Sequence, residues 1–205
     1  MDLELEYVYG YRCFDTRQNV YLNKSTNEIV YCAAALGIVM DTNTNTQRFF
    51  GGKEVRSLQG HTDDITALAI HPEGTIIATG EVGKNPAIIV WDSSTCTEIK
   101  QFRQGEDSRA VSTLSFSGDG TLLASCALDN NHLVRVWFWS MGILLCEDRG
   151  GTDKILDCAW SPSENTFVTA GIKHIAFWSD TESKSYVKKR GIFGKAGKQS
   201  DMTCS

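Results

Sequence analysis

The chain has 205 residues, of which 41% are hydrophobic and 22% charged, and its 20 basic against 25 acidic residues give a net charge of −5. This is too apolar and too weakly charged for a disordered chain, and an acidic total argues against nucleic acid as a main partner, because phosphate binding relies on clustered Lys and Arg. The longest apolar stretch, Tyr31 to Met40, is far short of a membrane span, and the acid-rich start (Asp2, Glu4, Glu6) does not read as a secretory leader, so no membrane partner is expected.

In chain order, the first feature is an aromatic segment, with Tyr7, Tyr9 and Tyr11 at the strand period and Phe14 and Tyr21 beyond them. It reads as a partner-binding strip or as core packing. Glu28–Ala34 (EIVYCAA) and Gly37–Asp41 (GIVMD) then form a faint first copy of a repeat, with Met40 where later copies have Trp. Phe49-Phe50-Gly51 and Gly60-His61 flank the eight residues GKEVRSLQ at 52–59. Without them the Met40-to-Trp91 spacing drops from 51 to 43, close to the later repeats, which suggests an inserted loop; the alternative is that VRSL forms an outer strand.

Three clear copies follow: Ile65–Trp91, Val111–Trp137 and Ile155–Trp178, with closing Trp residues 46 and 41 apart. In each, a short strand ends at Ile70, Phe116 or Trp160, a polar turn follows, and then IIATG, LLASC or FVTAG leads on to the Trp. Four short β-rich runs per copy, separated by Gly, Asn, Asp, Ser and Pro, predict a four-stranded antiparallel meander. One such sheet cannot bury both faces, whereas radial stacking can, so the predicted architecture is an all-β propeller with blades of about 40 to 45 residues.

Gly60-His61, the turns PEG, GDG and PSEN, and Trp91-Asp92 resemble WD40 repeats. In that pattern a turn Asp about six residues before the Trp bonds the Gly-His imidazole and pins outer strands to inner ones. Here those places hold Asn85, Asn131 and Ile172, so the blades are divergent. The resemblance gives His61, Trp91, Asp92, Trp137 and Trp178 structural roles.

A second resemblance covers nearly the whole chain. LEYVYGYRCFDTRQNVYLN (Leu5 to Asn23), EIVYCAAALGIVMDTNT, RFFGG, HTDDI, ATGEVGKNPAIIVWD, GIKHIAFW and KKRGIFGKAGK, in that order, are similar to echinoderm microtubule-associated protein-like proteins, most of all to the long members with tandem propeller units. The first stretch resembles that family's HELP motif, which the resemblance implies is built into the propeller core. The expected organisation is a HELP-like segment and divergent first blade with inserted loop over 1–60, WD40-like blades over 61–181, and a basic, Gly-containing linker with the start of a next blade over 182–205. A closed propeller of about seven blades needs roughly 300 residues. The chain therefore reads as an incomplete propeller of about four blades, a fragment or short isoform whose remaining blades are a partner. The resemblance further implies a non-catalytic scaffold that binds tubulin or microtubule-bound proteins, located in the cytoplasm on the cytoskeleton, with the ciliary axoneme as one such array.

Candidates for chemistry are few. His71, His132 and His174 read as surface or turn residues, and Asp63-Asp64, Asp119 and Asp129 as solvated turn acids. GIFGKAGK (Gly191 to Lys198) misses the P-loop pattern at Ile192 and Gln199, and neither a nucleophile elbow nor a zincin motif occurs. No enzyme activity, cofactor or metal is expected. Seven scattered cysteines without a CxxC pair read as reduced thiols. A ubiquitin-ligase substrate receptor is the alternative function, although Trp91-Asp92-Ser93-Ser94 lacks the Arg such receptors often carry. Lys184, Lys188, Lys189, Arg190, Lys195 and Lys198 place six cations in fifteen residues without an acid, and form the candidate tubulin contact. A solvated loop is the competing reading of that stretch. Trp139 is extra to the repeat and reads as an exposed anchor or as outer-strand core.

Overall fold

The computed structural model describes residues 5–23, 26–52, 60–181, 185–192, 194 and 200–202. Within them lie four antiparallel four-stranded meanders, each with its strands in chain order. The first blade holds β1 (Val20–Asn23), β2 (Glu28–Ala33), β3 (Leu36–Asp41) and β4 (Gln47–Phe50). The second holds β5 (Ile65–Ile70), β6 (Ile76–Glu81), β7 (Ala87–Asp92) and β8 (Thr97–Arg103). The third holds β9 (Val111–Phe116), β10 (Leu123–Ala127), β11 (Leu133–Phe138) and β12 (Ile143–Arg149). The fourth holds β13 (Ile155–Trp160), β14 (Thr166–Gly171), β15 (His174–Asp180) and β16 (Tyr186–Arg190).

Strand alternation sends successive side chains to opposite faces, and β7 shows what this does. Ala87, Ile89 and Trp91 join Val30, Val39 and Phe50 of the first blade in one apolar cluster. Ile88 and Val90 join Leu114, Leu123 and Trp137 of the third blade in another. A third cluster unites Cys126, Val134 and Val136 with Cys158, Phe167 and Trp178 across the third and fourth blades. The core is thus three layers between blades, and a middle strand such as β7 is apolar from Ala87 to Trp91 because both of its faces are covered.

The first strands β5, β9 and β13 converge on a central cleft of about 550 Å³. Each has a register shift near its start, at Ile65/Ala67, opposite Cys126/Ala127 and at Ile155/Asp157. Such bulges re-aim a side chain, and Thr66, Ser112 and Leu156 at these points all line the cleft. Adjacent blades are also tied directly, by Thr66 Oγ1 donating to the Val111 carbonyl at 2.9 Å.

The aromatic start does not form the strand expected of Tyr7, Tyr9 and Tyr11. Gly10 has φ +87°, which breaks the extended run, and Tyr9, Tyr11 and Phe14 are exposed. Core packing therefore holds for Tyr21, which packs against the cluster of Phe50 and Trp91 and donates to the Leu68 carbonyl at 3.3 Å, but not for those three. Residues 12–17 instead lie across the central cleft. Arg12 pairs with Asp15 and with Asp64, and Gln18 Nε2 donates to Asp157 of β13 at 2.8 Å. The segment so links the first blade to the second and the fourth.

Gly51 and Gly60 touch, a Cβ on Gly60 lying 2.8 Å from the Gly51 Cα, so the chain returns to the point it left. Lys53 to Gln59 lie outside the described residues, and β4 occupies the outer-strand place of the first blade. Tyr186–Arg190, expected in a linker, forms the outer strand of the fourth blade, paired from Asp180↔Tyr186 to Ala176↔Arg190.

Gly37 is a point of close approach between the first two blades. A Cβ there would meet Trp91 Cζ2 at 2.7 Å, while Trp91 stacks on Phe50 with centroids 4.7 Å apart and planes 3° from parallel. Gly37→Ala is expected to lower stability by about 1–3 kcal/mol through overpacking. A denaturation midpoint equal to that of the parent protein would show that this contact does not limit blade packing.

Candidate functional site

Three blades carry a polar chain anchored on the closing Trp. In the second, Trp91 Nε1 donates to Thr79 Oγ1 at 3.1 Å, Thr79 lies 2.7 Å from His61 Nε2, and His61 Nδ1 lies 3.1 Å from Glu81 Oε2. In the third, Trp137 Nε1 donates to Ser125 Oγ at 2.8 Å, which donates to Gln104 Oε1 at 2.8 Å. In the fourth, Trp178 Nε1 donates to Thr169 Oγ1 at 3.0 Å, and Thr169 lies 2.9 Å from His174 Nε2.

The acid expected six residues before the Trp is supplied from elsewhere. Glu81, at the end of β6, also accepts from the Thr62 N–H at 2.9 Å and the Ala87 N–H at 2.9 Å. Burial alone would raise the Glu81 pKa; the hydrogen bonds from His61, Ala87 and Thr62 outweigh it and hold the carboxyl at about 2 against an ordinary 4.5. Asn85, at the expected place, has φ +52° and shapes the turn. Sequence reading missed Thr79, Ser125 and Thr169, although the hydroxyl recurring in IIATG, LLASC and FVTAG was a signal for them. Asp92 accepts from the Ser94 and Thr95 N–H groups at 2.7 and 3.0 Å, capping a turn as Asp41 does for Asn43 and Thr44 in the first blade.

Of the remaining histidines, His71 and His132 lie in the connections between strands and His174 opens β15, and none is at the surface. His71, His132 and His174 are all buried. His71 Nε2 lies 2.9 Å from the Gly120 carbonyl, which also accepts from Trp139 Nε1 at 2.7 Å. Trp139 is therefore buried between the second and third blades, edge-on to His71 and Phe116. The six described cysteines are free thiols, and burial pushes Cys32 up to about 12. Among the described residues no group of three or more His, Cys, Asp or Glu could hold a metal ion, and no helix is long and apolar enough to cross a membrane.

The structure divides the basic stretch. Lys184, Lys195 and Lys198 lie outside the described residues. Alternation along β16 puts Lys188 and Arg190 on one face and Lys189 on the other. Lys188 is occupied: its ammonium lies over the Trp178 ring, 5.4 Å from the centroid, with Asp148 at 3.5 Å and the Arg149 carbonyl as hydrogen-bond acceptor. The register explains this placement. Phe50 and Phe102 stand opposite Gly37 and Ile88, three residues before Met40 and Trp91, and the matching place opposite Val134 holds Asp148. Lys188 covers the Trp178 ring and pairs with that Asp. Lys189 and Arg190 are exposed at the edge of the fourth blade.

Four radially stacked meanders with a Trp–hydroxyl chain in three of them define an arc of a WD40-type propeller. Structures of U3-55K and of RRP9 WD40 repeats superpose on it with TM-scores of 0.66 and 0.66 at 21% and 20% identity, over 82% and 85% of this chain and 50% and 51% of theirs. The family described as echinoderm microtubule-associated protein first beta-propeller matches residues 46–205, and the HELP motif matches residues 1–38. The chain belongs to the echinoderm microtubule-associated protein family. Its relatives include the ciliary WD repeat-containing protein ctxp80 of Euplotoides octocarinatus, 36% identical over 98% of this chain and 29% of that protein. Others are the 77 kDa echinoderm microtubule-associated protein of Strongylocentrotus purpuratus, 36% identical over 96% of this chain and 28% of that protein, and echinoderm microtubule-associated protein-like 4 of Mus musculus, 35% identical over 98% and 20%. The chain thus spans between a fifth and a third of the length of these relatives.

Two consequences can be measured. Glu81 has a folded-state pKa below its unfolded value, so its contribution is complete above about pH 4.5 and lost as pH falls toward 2. Glu81→Gln should cost about 1–3 kcal/mol at neutral pH and flatten the loss of stability over that acid window; acid melts that coincide with the parent's would overturn the assignment. Lys188→Ala should cost about 0.5–2 kcal/mol, whereas Lys189→Ala should leave the melting curve unmoved. Equal effects of the two substitutions would remove the distinction between them.

Proposed function

We propose that this chain is part of a non-catalytic microtubule-associated scaffold, and that its contribution to microtubule binding is electrostatic and centred on the exposed edge of the fourth blade. Membership of a family whose relatives are named as microtubule-associated carries the reading. The buried polar chains support the non-catalytic part, since Glu81 and His61 are spent on each other and on backbone donors rather than turned toward a substrate. The exposed cations Lys189 and Arg190 supply charge opposite to that of an acidic tubulin surface, and such attraction weakens with salt.

The remaining blades of a longer chain are the second proposed partner. Val20 and Leu22 on the first blade are exposed, and a β-sheet face of this kind is ordinarily buried by a neighbour. A cytoskeletal location follows from the same reading.

The test is co-pelleting with assembled microtubules at low and near-physiological salt, alongside a circular-dichroism melt. Binding should fall as salt rises, and the Lys189→Glu/Arg190→Glu variant, in which Lys188 is kept to hold Trp178, should bind several-fold more weakly with a shallower salt dependence. Undiminished binding by a folded double variant would move the contact away from this edge. A cooperatively melting protein that does not pellet would place microtubule binding outside this chain.

A further inference from the structure

Beside the fourth blade's polar chain lies a cleft of about 360 Å³, lined by Thr152, Asp153, Lys173, His174, Arg190 and Gly191, among others. Its floor is His174, only 5% exposed. Thr169 accepts from Trp178 Nε1–H, and the acceptor within reach of its own buried proton is His174 Nε2 at 2.9 Å, which assigns the imidazole as the acceptor of that pair. A neutral imidazole that accepts at Nε2 carries its proton at Nδ1. That N–H faces Gly151 and has no hydrogen-bond partner among the described residues. Arg190 reaches the same spot. A Cβ on Gly151 would stand 3.4 Å from His174 Nδ1 and 3.8 Å from Arg190 Nη2, so the missing side chain leaves a space on which both donors converge.

The second blade shows what such a space accommodates. There the equivalent Trp–Thr–His chain ends on a carboxylate: His61 Nδ1 meets Glu81 at 3.1 Å, and Arg103 Nη1, from the end of that blade's outer strand, reaches Glu81 Oε1 at 3.4 Å. The fourth blade also has an imidazole and an Arg at the end of its outer strand, although Arg190 pairs with Ala176, two residues before Trp178, and Arg103 with Ala87, four before Trp91; Gly171 stands at the end of β14 where Glu81 ends β6. Asp153, the acid of the cleft, accepts from Thr152 at 3.5 Å and makes no hydrogen bond to His174.

We infer that the cleft between His174 Nδ1, Arg190 and Gly151 is a receptor for a carboxylate side chain of an acidic partner peptide, which would fill the place that Glu81 holds in the second blade. The inference deepens the microtubule reading and rests on it for the source of the peptide. Among the described residues the surrounding charges are mostly positive: Lys173 from the β14–β15 turn and Arg190 and Lys188 from β16, with His132 of the third blade nearby, against Asp153 in the cleft and Asp148, which pairs with Lys188. Burial, then Arg190 and Lys188, push the His174 pKa below the usual histidine value, so the empty site is neutral at His174 near pH 7. A bound carboxylate reverses that balance and favours the imidazolium.

The probe is hexaglutamate, with hexaglutamine as control, titrated into the protein at low salt while the His174 imidazole resonances are followed by NMR. Hexaglutamate should move them, raise the His174 pKa, and bind more tightly as pH falls. Arg190→Gln should weaken binding about tenfold, as expected for loss of one charge-assisted hydrogen bond. Gly151→Ala, whose methyl makes only ordinary contacts, fills the space between the two nitrogens and should do at least as much. Dispersed indole resonances establish that each variant is folded. Unperturbed His174 resonances at saturating hexaglutamate would overturn the site, as would shifts unchanged by both substitutions. Hexaglutamate binding that both substitutions abolish, with microtubule co-pelleting unaffected by them, would support the receptor and reject tubulin as the source of its peptide.

Discussion

A four-stranded sheet with apolar side chains on both faces is stable only when each face is covered, and that constraint organises this chain. The Ala87, Ile89 and Trp91 face of β7 closes against the first blade, and the Ile88 and Val90 face against the third. Burying such side chains contributes on the order of 1.5–3 kcal/mol each before entropy is counted, so neighbouring blades stabilise one another far more than any polar contact does. Blades must also lie at a fixed distance, and glycines set it where a Cβ would collide: Gly37 under Trp91, and Gly80, whose Cβ would lie 2.5 Å from Val111.

On that apolar frame, the polar chains orient the Trp. A buried indole N–H requires an acceptor, and a Thr or Ser on the neighbouring strand provides it in the second, third and fourth blades. What lies beyond the hydroxyl differs. The second blade uses a His before its first strand and a Glu, the third uses the amide of Gln104, and the fourth uses His174 from the same hairpin. The requirement is therefore for a polar group at a position in space, and residues from three different places in the repeat satisfy it. This variation explains how blades that lack the turn Asp still hold their Trp, and why the fourth is left with an imidazole N–H facing a cleft.

The basic stretch illustrates how a strand partitions charge. Six cations within fifteen residues look like one patch, but β16 alternates, and the position of Asp148 recruits Lys188 to the inside of the blade junction. Lys188 stabilises the contact of the fourth blade with the third, while Lys189 faces the open side and Arg190 borders the cleft above Gly151. Binding capacity is then a property of two or three side chains and of the junction that holds them.

Although the fourth blade's outer strand was read as linker, the order of strands and the closing Trp residues were readable from the sequence, because they depend on local alternation and on turn residues that recur at a fixed period. The ends of the first strands at Ile70, Phe116 and Trp160 are an instance. Strand period misled at Tyr7, Tyr9 and Tyr11, because a strand also needs a partner edge and Gly10 turns the chain toward the central cleft. Pairings between residues far apart in sequence had no local signal: Glu81 with His61, Trp139 with His71 through Gly120, and Lys188 with Asp148. Periodicity is decided by neighbours along the chain, so the sequence alone determined the repeat and its apolar faces. Which buried polar group meets which depends on how adjacent sheets are set against each other, and only the tertiary structure decided that.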